Sequence, residues 1–186
     1  MKLVKKLSIK EQRRLIAMSK FEIELRQIGY KFIAGVDEAG RGPLAGPVVA
    51  AACILPDGFK LKDLNDSKQV APQKRKELYQ ELTNSKDVIY SVGIIDSKTI
   101  DKINILQASL RAMEMAVFSL TQKPDILLID GNQLPTTSIP SKAIIQGDSL
   151  SISIAAASII AKQTRDAIME EYHLKWPEYD FFDHKG

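Results

Sequence analysis

The chain has 186 residues, of which 45% are apolar and 26% charged, with a formal net charge of +3. This size suits one compact domain. The small excess of basic residues is compatible with a polyanionic partner but is not evidence for one. The single cysteine excludes an intrachain disulfide, no apolar run approaches the ~20 residues that span a bilayer, and no secretory signal is present, so we expect a cytoplasmic protein without membrane contacts.

The first 29 residues predict a helical extension. Ser8 with Glu11, and Ser19 with Glu22, have the spacing of helix capping boxes. Apolar residues recur at gaps of three and four along one helical face, namely Leu15, Met18, Phe21, Leu25 and Ile28. We expect one helix, or two short ones, lying across the surface of a domain that spans residues 30–186.

Three strands are predicted early in this domain. Residues 31–37 (KFIAGVD) form the first, and a glycine-rich turn separates it from a second over residues 47–55. The short connection favours a hairpin with antiparallel pairing. Pro72 is well placed to begin a helix that runs to about Leu82, and residues 88–95 (VIYSVGII) predict the third strand.

Helices and strands alternate in the rest of the chain. Residues 126–130 (ILLID) follow a helix and predict a buried parallel strand, residues 142–146 (KAIIQ) a fifth strand, and a long helix runs from about Ser153 to Lys175 before Pro177. This order predicts an α/β domain with a mixed central sheet flanked by helices. The helix before the ILLID strand is amphipathic, with an apolar face formed by Leu106, Leu110, Met113, Val117 and Leu120.

Four acidic residues lie where predicted strands give way to glycine-containing turns: Asp37, Glu38, Asp130 and Asp148. Ligands gather outside the carboxyl ends of parallel strands, where these carboxylates can converge. Each pair would repel by roughly 4 kcal/mol at about 4 Å and an effective dielectric of about 20, so the cluster needs protons or hard cations such as Mg²⁺ or Mn²⁺. Adjacent strand residues point to opposite faces, so Glu38 joins Asp37 only if the strand ends or bulges there. The competing interpretation is that all four acids are turn formers.

The turn Gly40-Arg41-Gly42 is a second candidate site. Its glycines let backbone N–H groups approach a ligand, and Arg41 can hold a phosphate with two hydrogen bonds. The alternative is an ordinary hairpin turn with a solvated arginine. The sequence contains neither a Walker A lysine nor the spacing of the dinucleotide fingerprint.

Several long motifs occur in order between Ile33 and Gly186: GVDEAGRGPLAGPVVAAA, LNDSK, NILQASLRAM, LLIDGN, GDS, SIAAASIIAKQTRD and DHKG. Together they closely resemble the ribonuclease HII family, the type 2 ribonucleases H. Related type 3 enzymes typically carry a lysine where this chain has Arg41, and a glutamate where it has Asp148. Both positions favour type 2.

The resemblance implies a ribonuclease H-like fold and a metal-dependent endonuclease. Such an enzyme hydrolyses the RNA strand of RNA/DNA hybrids and cuts 5′ to ribonucleotides embedded in duplex DNA. It uses two Mg²⁺ or Mn²⁺ ions and leaves 5′-phosphate and 3′-hydroxyl ends. We expect this domain to be catalytic and the protein to be a monomer. The catalytic and metal-binding roles carry over to Asp37, Glu38, Asp130 and Asp148.

Other family positions match residues that bind substrate. Gly40, Arg41 and Gly42 match the GRG motif, which recognises the 2′-hydroxyl largely through backbone contacts. Asn65, Ser67 and Lys68 match the NDSK segment, for which phosphate positioning and a role in loop structure are both open.

Two basic residues of the long helix also match the family. Lys162 and Arg165 are three positions apart, so they can share a face and contact backbone phosphates. Asp166, in contrast, is expected to form a structural pair. The separate run Lys74, Arg75 and Lys76 predicts a solvated helix face.

In the family, the HKG element precedes a tyrosine that packs against the sugar next to the ribonucleotide, and helical sequence follows. This sequence ends at Gly186, so we expect it to lack that C-terminal tail. Two other functions compete with the nuclease. A binding module would hold hybrids through basic residues, and its salt-dependent binding would persist unchanged in chelator. A phosphotransferase would turn over ATP, although the phosphate-loop lysine is missing.

Overall fold

A mixed five-stranded sheet forms the centre of the computed structural model, which describes residues 7–182. The strand order is β3-β2-β1-β4-β5. β2 pairs antiparallel with both β1 and β3, while β4 pairs parallel with β1 and β5, so the predicted hairpin and the predicted buried parallel strand are confirmed. The strands are β1 (Ile33–Ala39), β2 (Val48–Ile54), β3 (Ile89–Ile95), β4 (Ile126–Asp130) and β5 (Ser141–Ile144).

Seven α-helices are formed by residues 7–182: α1 (Ile9–Met18), α2 (Lys20–Gln27), α3 (Pro72–Thr83), α4 (Ser97–Ile103), α5 (Ile105–Phe118), α6 (Gly147–Leu150) and α7 (Ile152–Lys175). Pro72 begins α3 as expected, and α7 ends before a 3₁₀ turn at Pro177–Tyr179. The short helices α4 and α6 were not predicted. Over these residues, no helix is long and apolar enough to cross a membrane.

Helices pack on both faces of the sheet, and the residues of β2 contribute to both layers. All seven of its residues are buried. Ala51 and Cys53 belong to an apolar cluster with α7, α3 and α1, whereas Ala50 and Ala52 belong to a second cluster with α5 on the opposite face. Because side chains alternate along a strand, a continuous apolar run supplies both layers.

Gly35 in β1 determines how closely α7 approaches the sheet. A Cβ atom at this position would lie 2.1 Å from the backbone carbon of Ser153. Only glycine leaves room for the first turn of α7 to rest on β1. The start of α7 is therefore fixed directly above the strand that carries Asp37.

Two short helices form the predicted N-terminal extension. Ser8 caps α1, because its Oγ accepts a 3.2 Å hydrogen bond from the backbone N–H of Glu11. The second predicted capping box is wrong. Ser19 instead donates its hydroxyl to the carbonyl oxygen of Leu15 at 2.8 Å, and Glu22 is buried.

Two predicted apolar faces are only partly right. Ile28 is 74% exposed, because α2 ends at Gln27 and the chain turns away from the core. In α5 the residues against the sheet are mainly small, with Ala108, Ala112 and Ala116 fully buried. The larger Leu106 and Leu110 lie half-buried at the flank. Small side chains let α5 lie close to the strands.

Candidate active site

Three predicted acids converge on one point. Asp37 in β1, Asp130 at the end of β4 and Asp148 in α6 each offer one carboxylate oxygen, and these oxygens lie within 4.8 Å of one another. β1 and β4 are parallel neighbours, so their carboxyl ends meet at the same edge of the sheet. Oxygen donors this close suit a hard divalent cation such as Mg²⁺ or Mn²⁺. We call these three residues the acidic triad.

Burial raises the pKa of two members of the triad, Asp37 and Asp148. It raises the pKa of the Asp37 carboxyl well above the ordinary value, and the charges of Glu38 and Asp130 raise it further. Burial also raises the pKa of Asp148 to about 6, again with a contribution from Asp130. Asp37 and Asp148 therefore keep their protons to a higher pH than ordinary aspartates do, unless a cation replaces them.

Asp130 also positions the helix that carries Asp148. Its Oδ1 accepts hydrogen bonds from the backbone N–H groups of Gly147 at 2.6 Å and Asp148 at 3.4 Å. Asp148 was expected directly after a strand, but β5 ends at Ile144, and Gln146 turns the chain with a left-handed φ of 56°. Asp148 then lies on the single turn of α6.

Glu38 is not a member of the triad. β1 continues its antiparallel pairing through Ala39, so the strand neither ends nor bulges at Glu38, and the condition stated for Glu38 to join Asp37 is not met. Instead, Glu38 Oε1 accepts a 3.2 Å hydrogen bond from Arg41 Nη1. Burial raises the pKa of Glu38, and Arg41 opposes this rise. Pairing with β4 stops at Val36, which leaves this end of β1 open on one side.

A cleft of about 870 Å³ opens beside Asp37 and Glu38. Asn65 is the one predicted substrate residue that neither lines this cleft nor packs behind it. Its amide donates a hydrogen bond to Gln69 Oε1 at 3.2 Å. The predicted substrate residues along the cleft are Gly40, Arg41, Gly42, Ser67, Lys68 and Lys162.

Arg165 holds the loop that carries the GRG motif, and the expectation that it contacts phosphate is corrected. Its side chain is 1% exposed, because this face of α7 packs inward. Nε donates to the carbonyl oxygen of Pro47 at 2.9 Å, and Nη2 donates to that of Ala45 at 2.8 Å. Gly40, with φ +108°, makes room for this guanidinium, since a Cβ there would lie 2.5 Å from Nε.

Lys68 lines the same cleft as Asp37 and Glu38. Burial alone lowers the pKa of its ammonium, but the neighbouring carboxylates outweigh this effect and raise the pKa overall. The acids responsible are Asp37, Asp66, Asp148 and Asp130. Lys68 thus places a positive charge beside the triad.

Arg75 is buried and binds the loop of Ser67 and Lys68, so the prediction that it lies on a solvated helix face is wrong. It is 8% exposed, and Nη1 donates to the carbonyl oxygens of Ser67 at 2.6 Å and Val70 at 3.1 Å. Asp166 forms the structural pair that was expected. It lies 3.5 Å from Arg75 Nη2 and 2.8 Å from Lys162 Nζ.

Two further residues at the site were not singled out from the sequence. Ser158 Oγ of α7 lies 2.9 Å from Ser67 Oγ, and its hydrogen bond to Asp37 lowers the pKa of that carboxyl. Asp66 is 8% exposed and raises the pKa of Asp148. Both lie inside the matched motifs LNDSK and SIAAASIIAKQTRD, which was the available signal.

Residues 34–186 match the family model described as Ribonuclease HII. A ribonuclease HII of Chlamydia caviae is 51% identical over 183 residues, covering 98% of this chain and 86% of that protein. One of Geotalea uraniireducens is 55% identical over 170 residues, covering 91% and 78%. The crystal structure of the ribonuclease H2 from Pyrococcus horikoshii OT3 has a TM-score of 0.66 at 29% identity and covers 80% of this chain and 78% of its own, which confirms the expected fold. The chain therefore belongs to the ribonuclease HII family of metal-dependent endoribonucleases.

Proposed function

We propose that this chain hydrolyses the RNA strand of RNA/DNA hybrids and cuts 5′ to single ribonucleotides embedded in duplex DNA. The observation that carries the proposal is the acidic triad, whose oxygens lie within 4.8 Å of one another at the edge of the cleft. Family membership supports the substrate class. No protein nucleophile is required for this hydrolysis.

The triad has the donor set that a divalent cation needs. Asp37, Asp130 and Asp148 would hold Mg²⁺ or Mn²⁺, and Glu38 lies next to them in the cleft wall. Two bound ions would lower the pKa of the attacking water and neutralise charge on the leaving oxygen, giving 5′-phosphate and 3′-hydroxyl ends. Asp130 keeps Asp148 in place through its hydrogen bonds to the first turn of α6.

Substrate recognition would use the backbone of the GRG loop. A Cβ atom at Gly42 would meet no heavy atom within 4 Å, so this turn faces open space where a ribose can approach. The 2′-hydroxyl is the group that distinguishes RNA from DNA at such a contact. Arg165 and Gly40 together fix the loop from behind.

Within residues 7–182, three cations line the cleft and suit the phosphate backbone: Arg41, Lys68 and Lys162. Arg41 is bound to Glu38 by a partly exposed ion pair at 3.2 Å. A substrate phosphate would compete with this carboxylate for the guanidinium, because arginine binds both groups in the same bidentate manner. Ser67 would help to shape the loop of Lys68 through its hydrogen bond with Ser158.

A cleavage assay on three duplexes tests this function. The substrates are all-DNA, a continuous RNA/DNA hybrid, and DNA with one embedded ribonucleotide, each with Mg²⁺, Mn²⁺ or chelator. We expect metal-dependent cutting of the second and third substrates, with the cut 5′ to the single ribonucleotide. Glu24→Gln, at an exposed position of α2, is the control for Asp130→Asn, which should be inactive. Binding without cutting would favour the binding-module alternative, and ATP turnover would favour the phosphotransferase.

A further inference from the structure

Glu22 links the N-terminal helices to the start of α7 through a buried carboxylate. The residue is 6% exposed. Its Oε1 accepts hydrogen bonds from Ser151 Oγ at 2.5 Å, Ser153 Oγ at 2.6 Å and the backbone N–H of Ser153 at 3.0 Å. The contact joins residues about 130 positions apart, so it is a tertiary feature and not a local cap.

The carboxylate lies at the positive end of a 24-residue helix. Ser151 is the N-cap of α7, and its Oγ also accepts from the backbone N–H of Ile154 at 3.3 Å. An anion at a helix N-terminus is stabilised by the unsatisfied N–H groups and by the helix dipole. Glu22 therefore acts as a capping anion supplied to α7 by another helix.

The segment of residues 147–153, which comprises α6 and the start of α7, also carries Asp148. Ser151 directly follows α6, and its backbone N–H donates to the carbonyl oxygen of Gly147 at 2.8 Å. At its other end the segment is held by Asp130, which accepts from the N–H of Gly147 at 2.6 Å. Residues 147–153 are thus fixed by one acid of the triad and by Glu22.

We propose that Glu22 is a positioning residue for Asp148, so that the N-terminal helices form a structural part of the metal centre. This inference rests on the proposed function of the triad. Loss of the anchor would free residues 148–153 to move, while Asp37 and Asp130 stay fixed in the sheet. Since residues that orient a metal ligand typically change metal affinity by about 10–100-fold, we expect Glu22→Ala to weaken Mn²⁺ binding by about tenfold.

Mn²⁺ titration followed by electron paramagnetic resonance measures this effect without substrate. Glu22→Gln keeps an oxygen acceptor for both serines and should bind within about twofold of wild type. Glu24→Ala is the matched control, because Glu24 lies on the same helix, is exposed and forms only a 3.8 Å pair with Lys20. Amide hydrogen exchange should rise in residues 147–153 of Glu22→Ala and stay unchanged in β1. Wild-type Mn²⁺ affinity in Glu22→Ala would overturn the proposal.

A double variant separates positioning from general stability. In an Asp148→Asn background, Glu22→Ala should cause no further loss of Mn²⁺ affinity, because the ligand that it positions is already absent. An additive loss would mean that Glu22 does not act through Asp148. If Glu22→Ala does not fold, Ser153→Ala serves in its place, since it removes one donor to Glu22 Oε1 and should weaken Mn²⁺ binding in the same direction. If Asp148→Asn alone leaves Mn²⁺ binding unchanged, the proposed function fails instead.

Discussion

Arg165 Nε donates a 2.9 Å hydrogen bond to the carbonyl oxygen of Pro47, which links the middle of α7 to the loop of the GRG motif. A second bond of 2.8 Å reaches Ala45, and the side chain is 1% exposed. A planar guanidinium can satisfy both carbonyls at once, whereas a single ammonium cannot match this geometry. The arginine therefore shapes the cleft from behind its wall.

Replacing Arg165 should disturb the loop and leave the metal centre intact. In Arg165→Lys we expect faster amide exchange over residues 39–46, a KM for the hybrid raised by about tenfold, and unchanged Mn²⁺ affinity. Leaving one buried carbonyl unsatisfied should also lower the free energy of unfolding by about 1–3 kcal/mol. Exchange mass spectrometry, steady-state kinetics and denaturation measure these three effects.

The control for Arg165→Lys is Arg111→Lys, at an exposed position of α5. This change should leave all of those quantities at their wild-type values. Wild-type protection of residues 39–46 in Arg165→Lys would contradict the positioning role.

Asp37→Asn should stop cleavage and stabilise the metal-free protein. The residue is 5% exposed, its pKa is raised by burial, and neighbouring acids add to the rise. At a pH where the Asp37 carboxylate is ionised, removing its charge relieves repulsion within the triad, so we expect the free energy of unfolding in chelator to rise by about 1–3 kcal/mol. Denaturation in chelator and in Mn²⁺ measures this, and the stabilisation by Mn²⁺ should shrink in the variant.

Asp57→Asn provides the comparison, because the Asp57 side chain is 80% exposed and lies outside the cleft. It should alter neither cleavage nor the stabilisation by Mn²⁺. Full cleavage activity in Asp37→Asn would remove the basis for the metal site.

The convergence of Asp37 and Asp130 was predictable from sequence, but the place of Asp148 was not. The ILLID run is short and fully apolar, which identifies a buried strand, and adjacent parallel strands bring their carboxyl ends together. Asp148 lies on a helix of one turn, whose first residue, Gly147, donates to Asp130, 17 positions earlier. A turn stabilised by a tertiary contact has no local signal.

The burial of Arg75 and of Arg165 was also not predicted from the sequence, and the reasons differ. Arg75 shares its helix face with Leu78 and Leu82 at spacings of three and four, so the periodicity already placed it inward. The sequence around Arg165 gave no signal of its burial, because its partners are backbone carbonyls of a loop about 120 positions away. A charged residue is expected to be exposed unless it has buried partners, and the sequence alone does not give those partners.

Stability and metal affinity should change in opposite directions with pH. The pKa of Asp148 is raised to about 6 from its ordinary value of 3.8, so the folded protein holds this proton after the unfolded chain has released it. In chelator, the contribution to stability is full below about pH 4 and is lost as pH rises to about 6. Mn²⁺ affinity should increase over the same interval, because the ligand must be deprotonated.

Asp148→Asn tests the assignment of this pH dependence. In denaturation series from pH 4 to pH 7, the variant should lose part of the slope that wild type shows in chelator. Titration of Mn²⁺ at the same pH values gives the second measurement. A slope between about pH 4 and pH 6 that is the same in Asp148→Asn as in wild type would show that Asp148 does not hold its proton as described.

Arg41→Ala should weaken substrate use more than stability. The side chain is 45% exposed and its ion pair with Glu38 spans 3.2 Å, and such exposed pairs contribute up to about 1 kcal/mol. A charge-assisted contact to phosphate is worth about 1.5–3 kcal/mol, so kcat/KM for the hybrid should fall by at least about tenfold. Because one phosphate contact disappears, the dependence of binding on salt should also become shallower by about one unit of log–log slope. Kinetics at several salt concentrations and denaturation distinguish the two roles, since severe unfolding with unchanged kcat/KM would make Arg41 a structural residue of the hairpin turn.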